Sequence, residues 1–212
     1  MQIKHSFFLV LLLFFNGCNF FKTDKLPVYG EKTVVIKTEN GKEVTDSVDY
    51  TLPAFTYINQ DSQWVNNSTT EGKIYVAEFF FTACPSICPK MQQQMLRFYE
   101  KYKDNKDVAI LAFTIDPARD SVVRLHAYAN KLGVLNSSWH FLTGDKDSIY
   151  ATADNFLVSA AEDPDAPGGH VHSGNFILVD KHRRIRGYYD GVDEKSVDKL
   201  LVETDLLLKE EE

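Results

Sequence analysis

Ile74 to Phe81 reads IYVAEFFF, a run with one charged residue and no alternation of polar and apolar positions. A strand with one wet face alternates with period two, whereas a near-continuous β-branched and aromatic run belongs to a strand covered on both faces. Such a strand needs layers above and below it, which commits the chain to an α/β architecture. Val108 to Ile115 (VAILAFTI) repeats the pattern. Between the two runs the period becomes helical, with Ile87, Met91, Met95 and Phe98 on one side of a segment ending near Tyr102. Met91 and Met95, at that spacing below a buried strand, read as core rather than as metal ligands.

The remaining punctuation fits the same class. Ser121 suits an N-cap for a helix over Val122 to Leu132 that Gly133 ends. Trp139 to Leu142 reads as a short strand, and Asp145 or Asp147 as the cap of a helix to about Phe156. Phe176 to Asp180 and Ile185 to Tyr189 read as strands around a basic turn, and Glu194 to Leu208 as a last helix. Upstream, Thr33 to Lys37 and Glu43 to Val48 flank Asn40-Gly41, a strong hairpin signal, and Thr51 to Ile58 reads as another strand. Gln60 to Gly72 reads as loop, as does the segment holding Pro164, Pro167, Gly168 and Gly169. The expected fold is a central mixed sheet flanked by helices, with an extra N-terminal β-hairpin, in one domain without repeats.

Charge narrows the partners. With 23 basic and 30 acidic residues the formal net charge is −7, which argues against nucleic acid as a partner. At the N-terminus, Lys4 precedes the short apolar run Phe7 to Phe15, and Gly17-Cys18 closes it. This resembles a bacterial lipoprotein signal cut before a cysteine that then carries lipid, although Phe15 and Asn16 depart from its commonest form. The resemblance implies a membrane-anchored lipoprotein of the bacterial cell envelope, facing the periplasm, with Cys18 lipidated.

That assignment leaves Cys84 and Cys88 as an isolated pair. A ring so small adds almost nothing to stability, so a metal or redox role is expected. Placed at i and i+4 of a helix, the two side chains would have Cβ atoms ~5–6 Å apart. Rotamer choice can then bring the sulfurs to the ~4 Å bite of a d10 ion bound by thiolates at ~2.3 Å. A helix N-terminus would lower both thiol pKa values, and Pro85 and Pro89 would restrain the backbone. Thiolate pairs favour Cu(I) and related soft ions, and two leave the ion in need of a third ligand. Of the six histidines, His5 lies in the signal, His126 and His140 read as surface or packing residues, and His182 sits in the basic turn. His170 and His172, in GGHVHSGNF ahead of a strand, remain candidates.

Phe81-Thr82 followed by Cys84-Pro85-Ser86-Ile87-Cys88-Pro89 resembles the signature of the SCO/SenC copper proteins. So do Thr114 to Asp120 (TIDPARD), Leu142-Thr143-Gly144, and His172-Ser173 before an apolar strand ending in Asp180. The resemblance covers roughly residues 50 to 208. It implies a thioredoxin-like, membrane-tethered metallochaperone that delivers copper to, or prepares, the dinuclear copper site of cytochrome c oxidase. It further implies copper, as Cu(I) or Cu(II), held by Cys84, Cys88 and His172, with Asp116 nearby behind the ligands. The implied partners are the oxidase's copper-bearing subunit or another copper chaperone. The division is then a signal peptide over 1–17, a lipidated tether and hairpin over 18–45, and the thioredoxin-like domain over 46–212. Ala83, where the family commonly has histidine, and the additional His170 are departures. The rival is a thiol-disulfide oxidoreductase or peroxiredoxin-like protein using Cys84 and Cys88. Against it stand the CxxxC spacing, the absence of proline at His172-Ser173, and Thr82 lying two rather than three residues before Cys84. A sensor of copper or redox state, with no delivery role, is the third reading.

Overall fold

The computed structural model describes residues 25–134 and 137–210. The expected signal peptide and Cys18 lie outside the described residues. Seven strands form the main sheet: β3 (Thr56–Asn59), β4 (Trp64–Asn66), β5 (Ile74–Phe80), β6 (Val108–Thr114), β7 (Trp139–Thr143), β10 (Asn175–Val179) and β11 (Ile185–Asp190). Their order across the sheet is β11-β10-β5-β6-β7-β3-β4. β5, β6 and β7 run parallel, and the flanking strands are antiparallel, so the sheet is mixed as expected. Every residue of β5, β6 and β7 is buried, which is why none of them alternates in sequence.

Four helices complete the layers: α1 (Cys88–Tyr102), α2 (Val122–Leu132), α3 (Lys146–Asn155) and α4 (Glu194–Glu210). Ser121 caps α2 by accepting from the Arg124 N–H, and Gly133 ends it in the left-handed region at φ 79°. Asp145, not Asp147, caps α3. Met91 and Met95 are fully buried, and the rings of Phe79, Phe113 and Phe156 meet at 5.3–5.8 Å in the core. Two-stranded β1 (Thr33–Glu39) and β2 (Lys42–Val48) form the expected hairpin as a separate, exposed ribbon. Behind it, the buried Arg186 donates to the Leu26 and Pro27 carbonyls and to Asp180 and Glu210, fixing the chain's entry near the start of β5.

Two segments read as loop contain strands. Within 60–72, β4 returns against β3 because the Asn59 carboxamide oxygen accepts from the Asp61 and Gln63 N–H groups and closes the turn, with Ser62 at φ 60°. Between α3 and β10, β8 (Ala160–Glu162) and β9 (His170–His172) pair as a small hairpin of their own. Three-residue strands fall below the length at which periodicity is visible. The strand expected over 51–58 shortens to β3, because residues 51–55 run in irregular extended chain held by the Arg183 carbonyl and the Asn67 side chain.

Candidate metal centre

β5 delivers the chain straight into the cysteine segment. The turn Phe81-Thr82-Ala83-Cys84 closes with the Cys84 N–H on the Phe81 carbonyl at 3.2 Å. Thr82 is held from below by the wholly buried Asp120, which accepts from its N–H and hydroxyl and from the Thr114 hydroxyl. Arg124 donates to the Thr82 oxygen at 2.7 Å and faces Asp120. The TIDPARD segment is thus a clamp on the cysteine turn, a role its sequence does not announce.

α1 begins at Cys88, so Cys84 precedes the helix and the pair does not share a helical face as the i, i+4 spacing suggested. The bend over Pro85, Ser86 and Ile87 brings the sulfurs together instead. Cys84, Cys88 and His172 have ligand atoms all within 4.8 Å of one another, and Cys88 Sγ lies 3.5 Å from His172 Nε2. Both cysteines are free thiols. His172 Nδ1 donates to the Ser173 carbonyl at 2.9 Å. Because a carbonyl only accepts, this bond puts the proton on Nδ1 and leaves the Nε2 lone pair facing the sulfurs. Burial holds the His172 imidazole below its ordinary pKa, opposed by the Ser173 bond and reinforced by His170, so the neutral ligand form is favoured.

The two thiols differ, contrary to the expectation that the helix end would lower both. Burial would raise Cys84, but the N–H groups of Cys88 and Ser86 and their side chains outweigh it and carry the thiol below its ordinary value. Cys88 is pushed strongly up, first by burial and then by Cys84 and the buried Glu78 carboxyl. A helix terminus cannot compensate for a cysteine whose residue is 1% exposed with an acidic group nearby. Glu78 itself is wholly buried, with the Gln92 amide donating to both its oxygens at 3.2 Å.

The second histidine is turned elsewhere. His170 Nε2 faces Asp116 Oδ2 at 3.7 Å and its Nδ1 meets the Tyr150 hydroxyl at 3.3 Å. Asp116, expected behind the copper ligands, therefore sits against His170 and Arg119. The Phe81 ring stands between the histidines, 5.2 Å from the His170 ring and 6.1 Å from that of His172. Gly168, at φ 87°, lets loop 163–169 close over this ring, since a Cβ there would lie 2.7 Å from Phe81 and 3.2 Å from Pro85. His140 is buried against Asn59, His126 pairs with Asp61 on the surface, and the His182 N–H binds Asp180 in the basic turn. Sequence reading missed Glu78, Asp120 and Tyr150. A charge inside an otherwise apolar strand was the one signal available, for Glu78.

A family model described as SCO1/SenC matches residues 44–203. The chain is similar in structure to a SCO1/SenC family lipoprotein from Bacillus anthracis, with TM-score 0.69 and 28% identity over 75% of this chain and 95% of that one. It is also similar to BsSco, a member of the Sco family of cytochrome c oxidase assembly proteins in which a disulfide switch was identified. There the TM-score is 0.66 and the identity 29%, over 74% and 93% of the two chains. Arabidopsis thaliana ScoI with copper bound matches with TM-score 0.61 and 25% identity, over 73% of this chain and 98% of that one. The fold is accordingly the thioredoxin-like fold of the Sco structures.

Proposed function

The chain belongs to the SCO1/SenC family, and from that premise we propose that it is a membrane-anchored copper metallochaperone. Its cargo goes to, or prepares, the dinuclear copper site of cytochrome c oxidase, and its route to the membrane is a lipid on Cys18. The observation that carries the reading is the convergence of two cysteine sulfurs and one imidazole nitrogen within 4.8 Å at the end of β5. That donor set fits copper: thiolates suit Cu(I), and imidazole helps hold Cu(II). Cys84, Cys88 and His172 Nε2 would be the ligands. His172 is already in the required tautomer, and Cys84 is the more readily ionised of the two thiols. Cys88 would give up its proton only as the ion arrives, so uptake releases a proton and strengthens with pH. Cys84 is the more exposed residue, 9% against 1% for Cys88, and is the ligand a partner's thiolate reaches first when cargo leaves by ligand exchange. No helix among the described residues is long and apolar enough to cross a membrane.

The test is complementation of a bacterium lacking its own member of the family. The wild-type chain is expected to restore oxidase activity, and Cys84→Ser, Cys88→Ser and His172→Ala are not. Restoration by all three variants would overturn the reading.

The unequal thiols favour a second activity on the same residues: reduction of a partner disulfide. Cys84 thiolate would attack, and Cys88 would resolve the mixed disulfide, passing two electrons and two protons to the partner. Loss of oxidase activity in Cys84→Ser that excess copper fully rescues speaks for delivery, and loss that a dithiol reductant rescues speaks for reduction.

A further inference from the structure

At the far end of the sheet from the cysteines, a cleft of about 460 Å³ opens between the chain ahead of β5 and the turn after β10. Asn67, Ser68 and Thr70 line it on one side, and Lys181, His182 and Arg183 on the other. Its place follows from register, since Val179 pairs with Tyr75 at the start of β5 and Cys84 lies beyond the other end of that strand. The seven residues of β5, at ~3.3 Å each, put roughly 20 Å between the two sites. In the basic turn, Arg184 pairs with Asp180 and Asp49, and Arg186 beyond it with Asp180 and Glu210. Arg183 differs: its guanidinium has no hydrogen-bond or ion-pair partner among the described residues. Its backbone is held at φ 63°, a costly left-handed conformation for such a residue, with its carbonyl accepting from the Leu52 N–H. Across the cleft, Asn67 Oδ1 accepts from the Phe55 N–H, which leaves the amide nitrogen buried without an acceptor. A guanidinium and an amide that both lack acceptors, lining one cleft, suit an oxyanion.

We propose that the cleft between Asn67 and Arg183 binds the phosphate of a phospholipid headgroup and so seats the domain on the bilayer with Cys84 on the side facing away. The path of the chain identifies the source of the phosphate. Arg186 donates to the Leu26 and Pro27 carbonyls, and the Tyr29 N–H to the Ile185 carbonyl, so the N-terminal segment leaves the domain alongside the basic turn. From Lys25 back to Cys18 is seven residues, at most ~25 Å of chain. A lipid on Cys18 therefore brings the cleft to headgroup level, and the proposal rests on that reading. The guanidinium fork matches two phosphate oxygens at once, and Lys181 adds charge beside it. Glu71, the one acid lining the cleft, opposes the anion. With a formal net charge of −7 the chain as a whole is repelled by an anionic surface, so contact depends on this local donor set.

The experiment uses the full chain purified from bacterial membranes and phenylglyoxal, which modifies accessible guanidinium groups, with Arg183 and Arg119 followed by peptide mass spectrometry. Arg119 follows the end of β6, at the cysteine end of the sheet, and is the internal reference. Vesicles of phosphatidylglycerol should slow modification of Arg183 at least ~5-fold and leave Arg119 unchanged, whereas vesicles of a phosphate-free galactolipid should protect neither. Monomeric dihexanoylphosphatidylglycerol should protect Arg183 as well. That arm tests the cleft without a bilayer, so failure of the chain to sediment with vesicles counts against the Cys18 lipid and not against the cleft. Asn67→Asp keeps the acceptor for Phe55 and puts a negative charge in place of the donor, so it should abolish protection with the urea midpoint unchanged. Lys181→Ala should weaken protection, and Glu71→Gln should strengthen it. Equal protection by the galactolipid, protection that survives Asn67→Asp, or none from either phospholipid would overturn the proposal. Protection by inorganic phosphate at the concentration of the short-chain lipid would assign the cleft to free phosphate and overturn it too.

Discussion

Replacing Glu78 by glutamine should make the protein more stable at neutral and alkaline pH, and by an amount set by pH. Glu78 lies wholly buried on the central strand, and burial pushes its carboxyl up from the ordinary 4.5 to about 8 against the pull of the Gln92 amide. A folded-state pKa above the unfolded one contributes stability that is complete below about pH 4.5 and is lost as pH rises to about 8. At ~1.4 kcal/mol per unit, the wild type gives up roughly 3 kcal/mol by pH 7 and roughly 5 kcal/mol above pH 8. Glu78→Gln removes the titration and keeps the shape. Its new amide also has a waiting acceptor, because Gln92 Oε1 is buried without a partner. The assay is urea unfolding of both proteins at pH 5, 6, 7 and 8. The difference between them should grow by ~1.4 kcal/mol per unit across that window. A difference that stays flat within ~0.5 kcal/mol would refute the assignment of a buried, protonated carboxyl at this position. The same substitution should lower the Cys88 pKa, since the Glu78 charge is one of the groups raising it.

Burial lowers His140 to about 4, so stability should fall as pH drops from 6.5 towards 4, and His140→Gln should remove that acid limb in thermal melts. Gly168→Ala should cost about 1–3 kcal/mol in chemical denaturation, because it combines a left-handed φ with a Cβ against Phe81. Asp120→Asn should cost about 2–3 kcal/mol and weaken Cu(I) binding, since Asp120 uses both oxygens as acceptors, Oδ2 for the Thr82 N–H and Thr114 hydroxyl and Oδ1 for the Thr82 hydroxyl, and an amide keeps only one. Iodoacetamide at pH 7 should alkylate Cys84 well before Cys88, as read by peptide mass spectrometry; equal rates would contradict the difference between the thiols.

The architecture was legible wherever burial had stamped the composition. β5 and β6 appear in sequence as unbroken apolar runs because both faces are covered, and α2 carries its own punctuation in Ser121 and Gly133. β4, β8 and β9 were not legible, since three residues are too few to show a period and their pairing rests on the Asn59 turn and on the hairpin around loop 163–169. The cysteine pair was legible as chemistry but not as geometry. The spacing would suit one helical face, but the helical period begins only near Ile87, and in the structure Ile87 caps α1 and Cys84 lies outside it. Choosing between His170 and His172 from residues alone was impossible, because on β9 they are two apart with their side chains directed to one face. What separates them is the partner of each Nδ1, a Ser173 carbonyl or a Tyr150 hydroxyl, and what each Nε2 then faces. Those contacts are made by segments distant in sequence and leave no local trace.

X-ray absorption on the protein loaded anaerobically with one equivalent of Cu(I) tests the central claim most directly. Two sulfur ligands and one nitrogen are expected, the sulfur count falling to one in either Cys84→Ser or Cys88→Ser and the nitrogen disappearing in His172→Ala but not in His170→Ala. A copper environment without two sulfurs, or one that His170→Ala alters and His172→Ala does not, would contradict the account.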